Sequence, residues 1–148
     1  MRPGSLSTKF DVSLFETGRL SEMIRRFGAW HGMPEDTIFV VNLSLDELVT
    51  NIVVHGGQGD LRVHEIMLRI RTEQDKVSIE IEDDGRAFNP LDAPEPDLSA
   101  SLMDREPGGL GIHLARSLMD QILYQRVGQR NLLTLTKRIH RAPAPAAS

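Results

Sequence analysis

Glu47, Asn51 and His55 lie four residues apart, so on a helix they stack along one flank. The segment around them is mostly apolar, with Ile38, Val41, Leu45, Leu48, Val49 and Ile52 on a broad stripe and Val40 and Val54 beside the polar row. So thin a polar row on a helix buried on most sides fits the wall of a pocket. An ordinary solvated face is the competing reading, and for His55, at the helix end, a surface or capping role is the better one. A second candidate is Asp83. Val77, Ile79 and Ile81 alternate with Ser78, Glu80 and Glu82, and side chains two apart share one face of a strand. The next position on the apolar face is Asp83, with Gly85 two residues on. Either Asp83 is buried and has a partner, since an unpaired buried carboxylate costs several kcal/mol or takes up a proton, or the strand stops at Glu82 and 83–85 is a turn. The third candidate is Gly108-Gly109-x-Gly111, just before the helical stretch Ile112, Leu114, Ala115, Leu118 and Met119. Glycines admit a close backbone approach and the first N–H groups of a helix carry partial positive charge, which is anion-binding chemistry. Hinges use such glycines too. No strand leads directly into this cluster and no Gly-Lys-Ser/Thr follows it, so it is neither a dinucleotide fingerprint nor a Walker loop.

The elements that must position these residues can be read from periodicity. Leu6, Thr8, Phe10, Val12 and Leu14 alternate with polar residues and predict a half-buried strand. Leu20, Met23, Ile24, Phe27 and Trp30 predict a helix near 17–31 that ends at Gly32, with Phe27 and Trp30 in the core. Pro34 opens the helix that carries Glu47, which runs to Gly56-Gly57. Residues 63–71 predict a strand that pairs with 76–83 across the turn Gln74-Asp75. Residues 86–109 have no periodicity and hold Pro90, Pro94, Pro96 and Pro107, the composition of a lid or binding loop. A helix to about Asp120 and two strands, roughly 121–127 and 131–139, close the domain. Residues 1–140 therefore form a single domain, and 141–148 (Pro- and Ala-rich) a disordered tail.

Composition excludes several classes. With no cysteine there are no disulfides or thiolate metal sites, which accords with a reducing, cytoplasmic location. No run approaches the ~18 apolar residues of a membrane span, and the N-terminus lacks a signal peptide's apolar core. A net charge of −4 argues against direct nucleic-acid binding, which depends on Lys and Arg displacing counterions. Acidic residues gather in 82–106, whereas Arg126, Arg130, Lys137, Arg138 and Arg141 make the end basic, an asymmetry that favours protein partners.

Taken in order, ELVTN (47–51), DDG (83–85) and GGLGI (108–112) resemble the three nucleotide-binding boxes of the GHKL ATPase superfamily, which includes the ATPase of DNA gyrase, histidine-kinase ATP domains and anti-sigma kinases. The resemblance covers about residues 7–138. The wording DELVTNIVVHGG and GGLGIHLARSLMD is most similar to the anti-sigma-factor serine/threonine protein kinases of bacterial stress and sporulation control. It implies an α+β fold: a two-layer α/β sandwich of the Bergerat type, with a mixed, mostly antiparallel sheet and helices on one face. It implies ATP and Mg²⁺ as cofactors, with Asp83 accepting from the adenine amino group and Gly85 and Ala87 beside the base. Asn51 would give a carbonyl oxygen to Mg²⁺, and Glu47 would act as general base toward a Ser or Thr hydroxyl. Gly108, Gly109, Leu110, Gly111 and Ile112 would hold phosphates under a lid at about 88–107, with Arg105, its only cation, as a γ-phosphate contact. The implied partners are a sigma factor and an anti-anti-sigma protein of the STAS type, with a homodimer as the assembly.

Two departures stand out. The longer Asp-x-Gly-x-Gly pattern ends here in Ala87, and where the family often has a Gly-Thr pair in the last strand that supports the adenine network, the nearest stretch here is Arg130-Asn131-Leu132, which leaves that support open. Glu47 and Asn51 together favour a kinase. The alternative is a nonenzymatic, nucleotide-binding switch that sequesters a regulatory protein. A histidine-kinase fragment fits poorly, because no helical hairpin carrying a phosphoacceptor His precedes the ATP region; His113 is better explained by packing or the pocket mouth.

Overall fold

The alternation that predicts strands is realised in two central ones. β2 (Glu65–Thr72) and β3 (Lys76–Asp83) bury every second side chain over most of their length. They join β1 (Gly4–Asp11), β4 (Gln121–Val127) and β5 (Arg130–Arg138) in one five-stranded sheet of order β1-β2-β3-β5-β4, with every pairing antiparallel. The helices are α1 (Thr17–His31), α2 (Glu35–His55) and α3 (Gly109–Leu118), with a short 3-10 turn at Pro90–Asp92. The computed structural model describes residues 1–12, 17–55, 63, 65–92 and 109–139. The expected strand end at Leu14, the Gly56-Gly57 turn, the lid from residue 93 onward with Arg105, the first box residue Gly108 and the tail over 141–148 lie outside the described residues.

One face of the sheet, with Ile66, Leu68, Ile70, Val77, Ile79, Ile81, Leu133 and Leu135, packs in a single core with Val41, Leu45, Leu48, Val49 and Ile52 of α2. The opposite face carries charged pairs such as Arg69 with Glu80 at 2.9 Å. Helices on one side and charge on the other make the α+β sandwich. By length and composition α2 could cross a membrane, at 21 residues and a mean hydropathy of 1.6. Its apolar stripe instead faces this core, against the sheet. The three central strands β2, β3 and β5 share this core with α2.

Helix ends follow local chemistry. Gly32 adopts φ +74° just past α1, and the N–H groups of Gly32 and Met33 donate to the carbonyls of Ala29 and Gly28, a Schellman closure. Trp30 departs from the expectation: it is 75% exposed. The stripe Leu20, Ile24, Phe27 continues at His31, four residues on from Phe27, whose ring sits 4.4 Å from that of Phe27. Trp30, one residue earlier, is turned about 100° away toward solvent. Gly128 (φ +60°) makes the turn between β4 and β5.

Candidate active site

The polar row on α2 is split by the fold. Ser44, three residues before Glu47 on the same stripe, is fully buried, and its hydroxyl has no hydrogen-bond partner among the described residues. Glu47 and Asn51 are half-buried, and His55 is exposed at the helix end. Asn51 donates its side-chain Nδ2 to the backbone carbonyl of Glu47 at 3.0 Å. That bond engages the amide nitrogen within the helix and leaves the carbonyl Oδ1 as the acceptor end of the group. Burial, reinforced by the neighbouring charge of Asp46, raises the Glu47 carboxyl above the usual carboxylate range.

Asp83 is the last residue of β3, not part of a turn, and is 2% exposed. Its partner is Asn131 on β5, directly opposite in the sheet register. Asn131 donates Nδ2 to Asp83 Oδ1 at 3.0 Å, and the Gly85 N–H donates to the same oxygen at 2.9 Å. Burial raises the Asp83 carboxyl, the bonds from Asn131 and Gly85 pull it back, Asp84 raises it and Arg126 lowers it, with a net upward shift. Asn131 is itself 2% exposed and saturated. Its Nδ2 also donates to the Arg86 carbonyl at 2.7 Å, while its Oδ1 accepts from the Phe88 N–H at 3.3 Å, the Tyr124 hydroxyl at 2.5 Å and Arg126 Nη1 at 3.1 Å. Arg126 Nη1 also donates to the Gly85 carbonyl at 2.8 Å.

The support for Asp83 that the sequence leaves open at the last strand is present. Asn131 supplies it in place of the Gly-Thr pair, because the antiparallel register sets the two residues side by side. Sequence reasoning missed Asn131, Tyr124 and Arg126. One signal was available: Asn131 interrupts the apolar face of Leu133 and Leu135 as Asp83 interrupts that of Ile79 and Ile81. Two polar residues out of pattern on separate strands are candidates for one buried pair.

The remaining pieces converge on α2. Arg86 Nη2 donates to the His55 carbonyl at 3.4 Å, tying the loop after β3 to the end of α2, and Arg116 on α3 donates to the Leu91 carbonyl at 3.1 Å. Gly85 is buried and Ala87 exposed on that loop. α3 starts at Gly109, so Gly109, Leu110, Gly111 and Ile112 form its first turn; Ile112 is buried at 4% exposure. Gly111 lies against Glu47 so closely that a β-carbon there would collide with the carboxylate group. The first turn of α3 thus abuts the Glu47 side chain. A groove of about 950 Å³ between α1 and α2, lined by Leu20, Phe39, Asn42 and Asp46 among others, lies on a different flank of α2 and includes none of these residues.

This arrangement is a two-layer α/β domain with a buried carboxylate at the end of a central strand and a Glu/Asn pair on the helix packed against the sheet. A family model described as the histidine kinase-like ATPase domain matches residues 15–137. The serine/threonine-protein kinase BtrW of Bordetella bronchiseptica is 40% identical over 105 residues, which cover 71% of this chain and 72% of that protein. The serine-protein kinase RsbW of Bacillus licheniformis is 27% identical over 74% of this chain and 70% of its own, and an anti-sigma F factor of Thermoanaerobacter sp. is 23% identical over 67% and 68%. Among solved structures, the RsbU and RsbW domains of a Mycobacterium tuberculosis protein superpose with a TM-score of 0.63 at 18% identity, covering 91% of this chain and 32% of that one. The chain belongs to the histidine kinase-like ATPase domain family, among its serine/threonine-protein kinases.

Proposed function

We propose that this kinase is an anti-sigma factor that binds a sigma factor and transfers the γ-phosphoryl group of ATP to a Ser or Thr of a STAS-type anti-anti-sigma protein. It would work in the cytoplasm as a homodimer, an assembly carried by the resemblance alone. The observation that supports the chemistry best is the juxtaposition of Glu47 with the first turn of α3. There a carboxylate of raised proton affinity lies beside a helix N-terminus whose N–H groups suit a phosphate. Glu47 would accept the proton of the substrate hydroxyl as that oxygen attacks phosphorus, and ADP would leave. Asn51, with its amide nitrogen engaged by its own helix, fits an oxygen ligand for Mg²⁺. When bound, Mg²⁺ neutralises phosphate charge. Asp83 and Gly85 would receive the adenine, and the phosphates would lie toward residues 108–112.

The names of the relatives support the same reading: one is an anti-sigma factor and two are serine or serine/threonine kinases. The test uses the purified chain, radiolabelled ATP and candidate STAS proteins. Wild type should label the substrate, and Glu47→Ala should lower the rate by a hundredfold or more, in the range of a lost general base. Equal labelling by the variant would remove Glu47 from the chemistry. ATP binding without transfer to any STAS protein would favour the nonenzymatic switch.

A further inference from the structure

We propose that Asn131, held by Tyr124 and Arg126, is the positioning residue that makes the site select a purine with an exocyclic amine, because it locks Asp83 so that only Oδ2 faces a ligand. This rests on the nucleotide-binding reading above.

The orientation of the Asn131 amide is dictated by its neighbours. Its oxygen faces three donors (the Phe88 N–H, the Tyr124 hydroxyl and Arg126 Nη1) and its nitrogen faces two acceptors, Asp83 Oδ1 and the Arg86 carbonyl. A flipped amide would set its NH₂ against the Phe88 N–H and Arg126 and its oxygen against a carboxylate and a carbonyl, losing four of the five bonds and keeping only one to the Tyr124 hydroxyl, which can also accept. The side chain is therefore a fixed donor aimed at Asp83.

That donor has two effects on Asp83. With Gly85, it occupies Oδ1, so the carboxylate cannot rotate about its last bond without breaking two hydrogen bonds. Among the described residues, both protein bonds to Asp83 fall on that one oxygen. Asn131 also favours the charged form of a group that burial drives toward neutrality. Which form is present decides what the pocket reads. An ionised Oδ2 accepts, and so matches the 6-amino group of adenine. A protonated Oδ2 donates, and so matches a 6-oxo group. Arg126 joins the two halves of the clamp, bonding to the Gly85 carbonyl and to Asn131 Oδ1 through the same nitrogen.

The test is calorimetric titration of the full chain with ATP and with inosine triphosphate, which replaces the 6-amino group by a 6-oxo group and leaves sugar and phosphates unchanged. Melting temperatures are measured alongside. Wild type should prefer ATP. Asn131→Asp, which sets a second carboxylate against Asp83 Oδ1, should shrink the ATP-to-inosine preference at least tenfold, more so at lower pH, while affinity for inosine triphosphate is kept or improved. Tyr124→Phe removes one donor from the clamp and should shift the ratio the same way by a smaller factor; it decides the question if Asn131→Asp does not fold. A wild-type preference for ATP that survives both substitutions, or an equal loss of both nucleotides, overturns the role of Asn131 and leaves the nucleotide-binding reading standing. No preference in wild type overturns the adenine reading itself, and the clamp with it.

Discussion

At the scale of single residues, Asp83 is a carboxyl whose charge burial opposes and whose hydrogen bonds from Asn131 and Gly85 favour. Burial is the largest influence on its carboxyl and raises its proton affinity. The folded chain then binds that proton more readily than the unfolded chain. The contribution of Asp83 to stability therefore rises as pH falls through its raised value toward the ordinary carboxylate range, and near neutrality the ionised group works against folding. Such a group is retained for something other than stability. Asp83→Asn keeps an oxygen able to accept from Gly85 and Asn131 and turns the other position into a donor. A hydrogen bond to a charged group is worth about 1.5–3 kcal/mol, so ATP affinity should fall roughly tenfold or more. The melting temperature at pH 7 should hold or rise. Titration calorimetry and thermal unfolding check the two halves of this expectation, and equal ATP affinity would remove Asp83 from the site.

At the scale of elements, α2 and α3 meet at a glycine, where anything larger displaces the Glu47 side chain. A methyl group at Gly111 would run into the Glu47 carboxylate, the far end of a flexible side chain, which can swing aside without disturbing the backbone. Gly111→Ala should therefore fold well. Alanine in a helix is about 0.5–1 kcal/mol more favourable than glycine, so α3 should hold or gain stability. The displaced carboxylate should nevertheless slow phosphoryl transfer by roughly tenfold to a hundredfold, as misplacements of about 1 Å do, with a smaller change in the KM for ATP. Steady-state kinetics beside a thermal melt separates the two. An unchanged kcat would show that the position of Glu47 against α3 is immaterial. The C-terminal end of α3 is held from the sheet, where Lys137 donates to the Leu118 carbonyl at 2.9 Å, so a swing of Glu47 is the easier adjustment.

At the scale of the whole molecule, one core serves both fold and site. β3 is paired on both sides, by β2 and β5, and ends in Asp83; α2 lies across the sheet and carries Glu47 and Asn51 on its flank. Leu45 sits at the centre of that contact with no exposure. Leu45→Ala should cost about 2–5 kcal/mol, a large part of the roughly 5–15 kcal/mol that a domain of this kind possesses. Denaturant unfolding should show a lower midpoint with an unchanged slope. A loss below 1 kcal/mol would mean that α2 is not the keystone of the core.

Much of the candidate site was legible in the chain because its signals are local. The spacing of Glu47 and Asn51 is a helical repeat. Asp83 breaks a strand's alternation at a countable position, and Gly109–Gly111 opens an amphipathic stretch. Even the boundaries of α1 and β3 follow from periodicity and flanking turn residues. What only the tertiary structure decided were pairings between distant residues: Asn131 beside Asp83 through antiparallel register, Arg86 reaching the end of α2, and Gly111 against Glu47. It also turned Trp30 out and His31 in, a difference of one residue on a helix. Periodicity records which side of an element is apolar, because burial acts on each element separately. Which polar groups satisfy one another depends on how elements are set side by side, and that is fixed only when the sheet closes around α2.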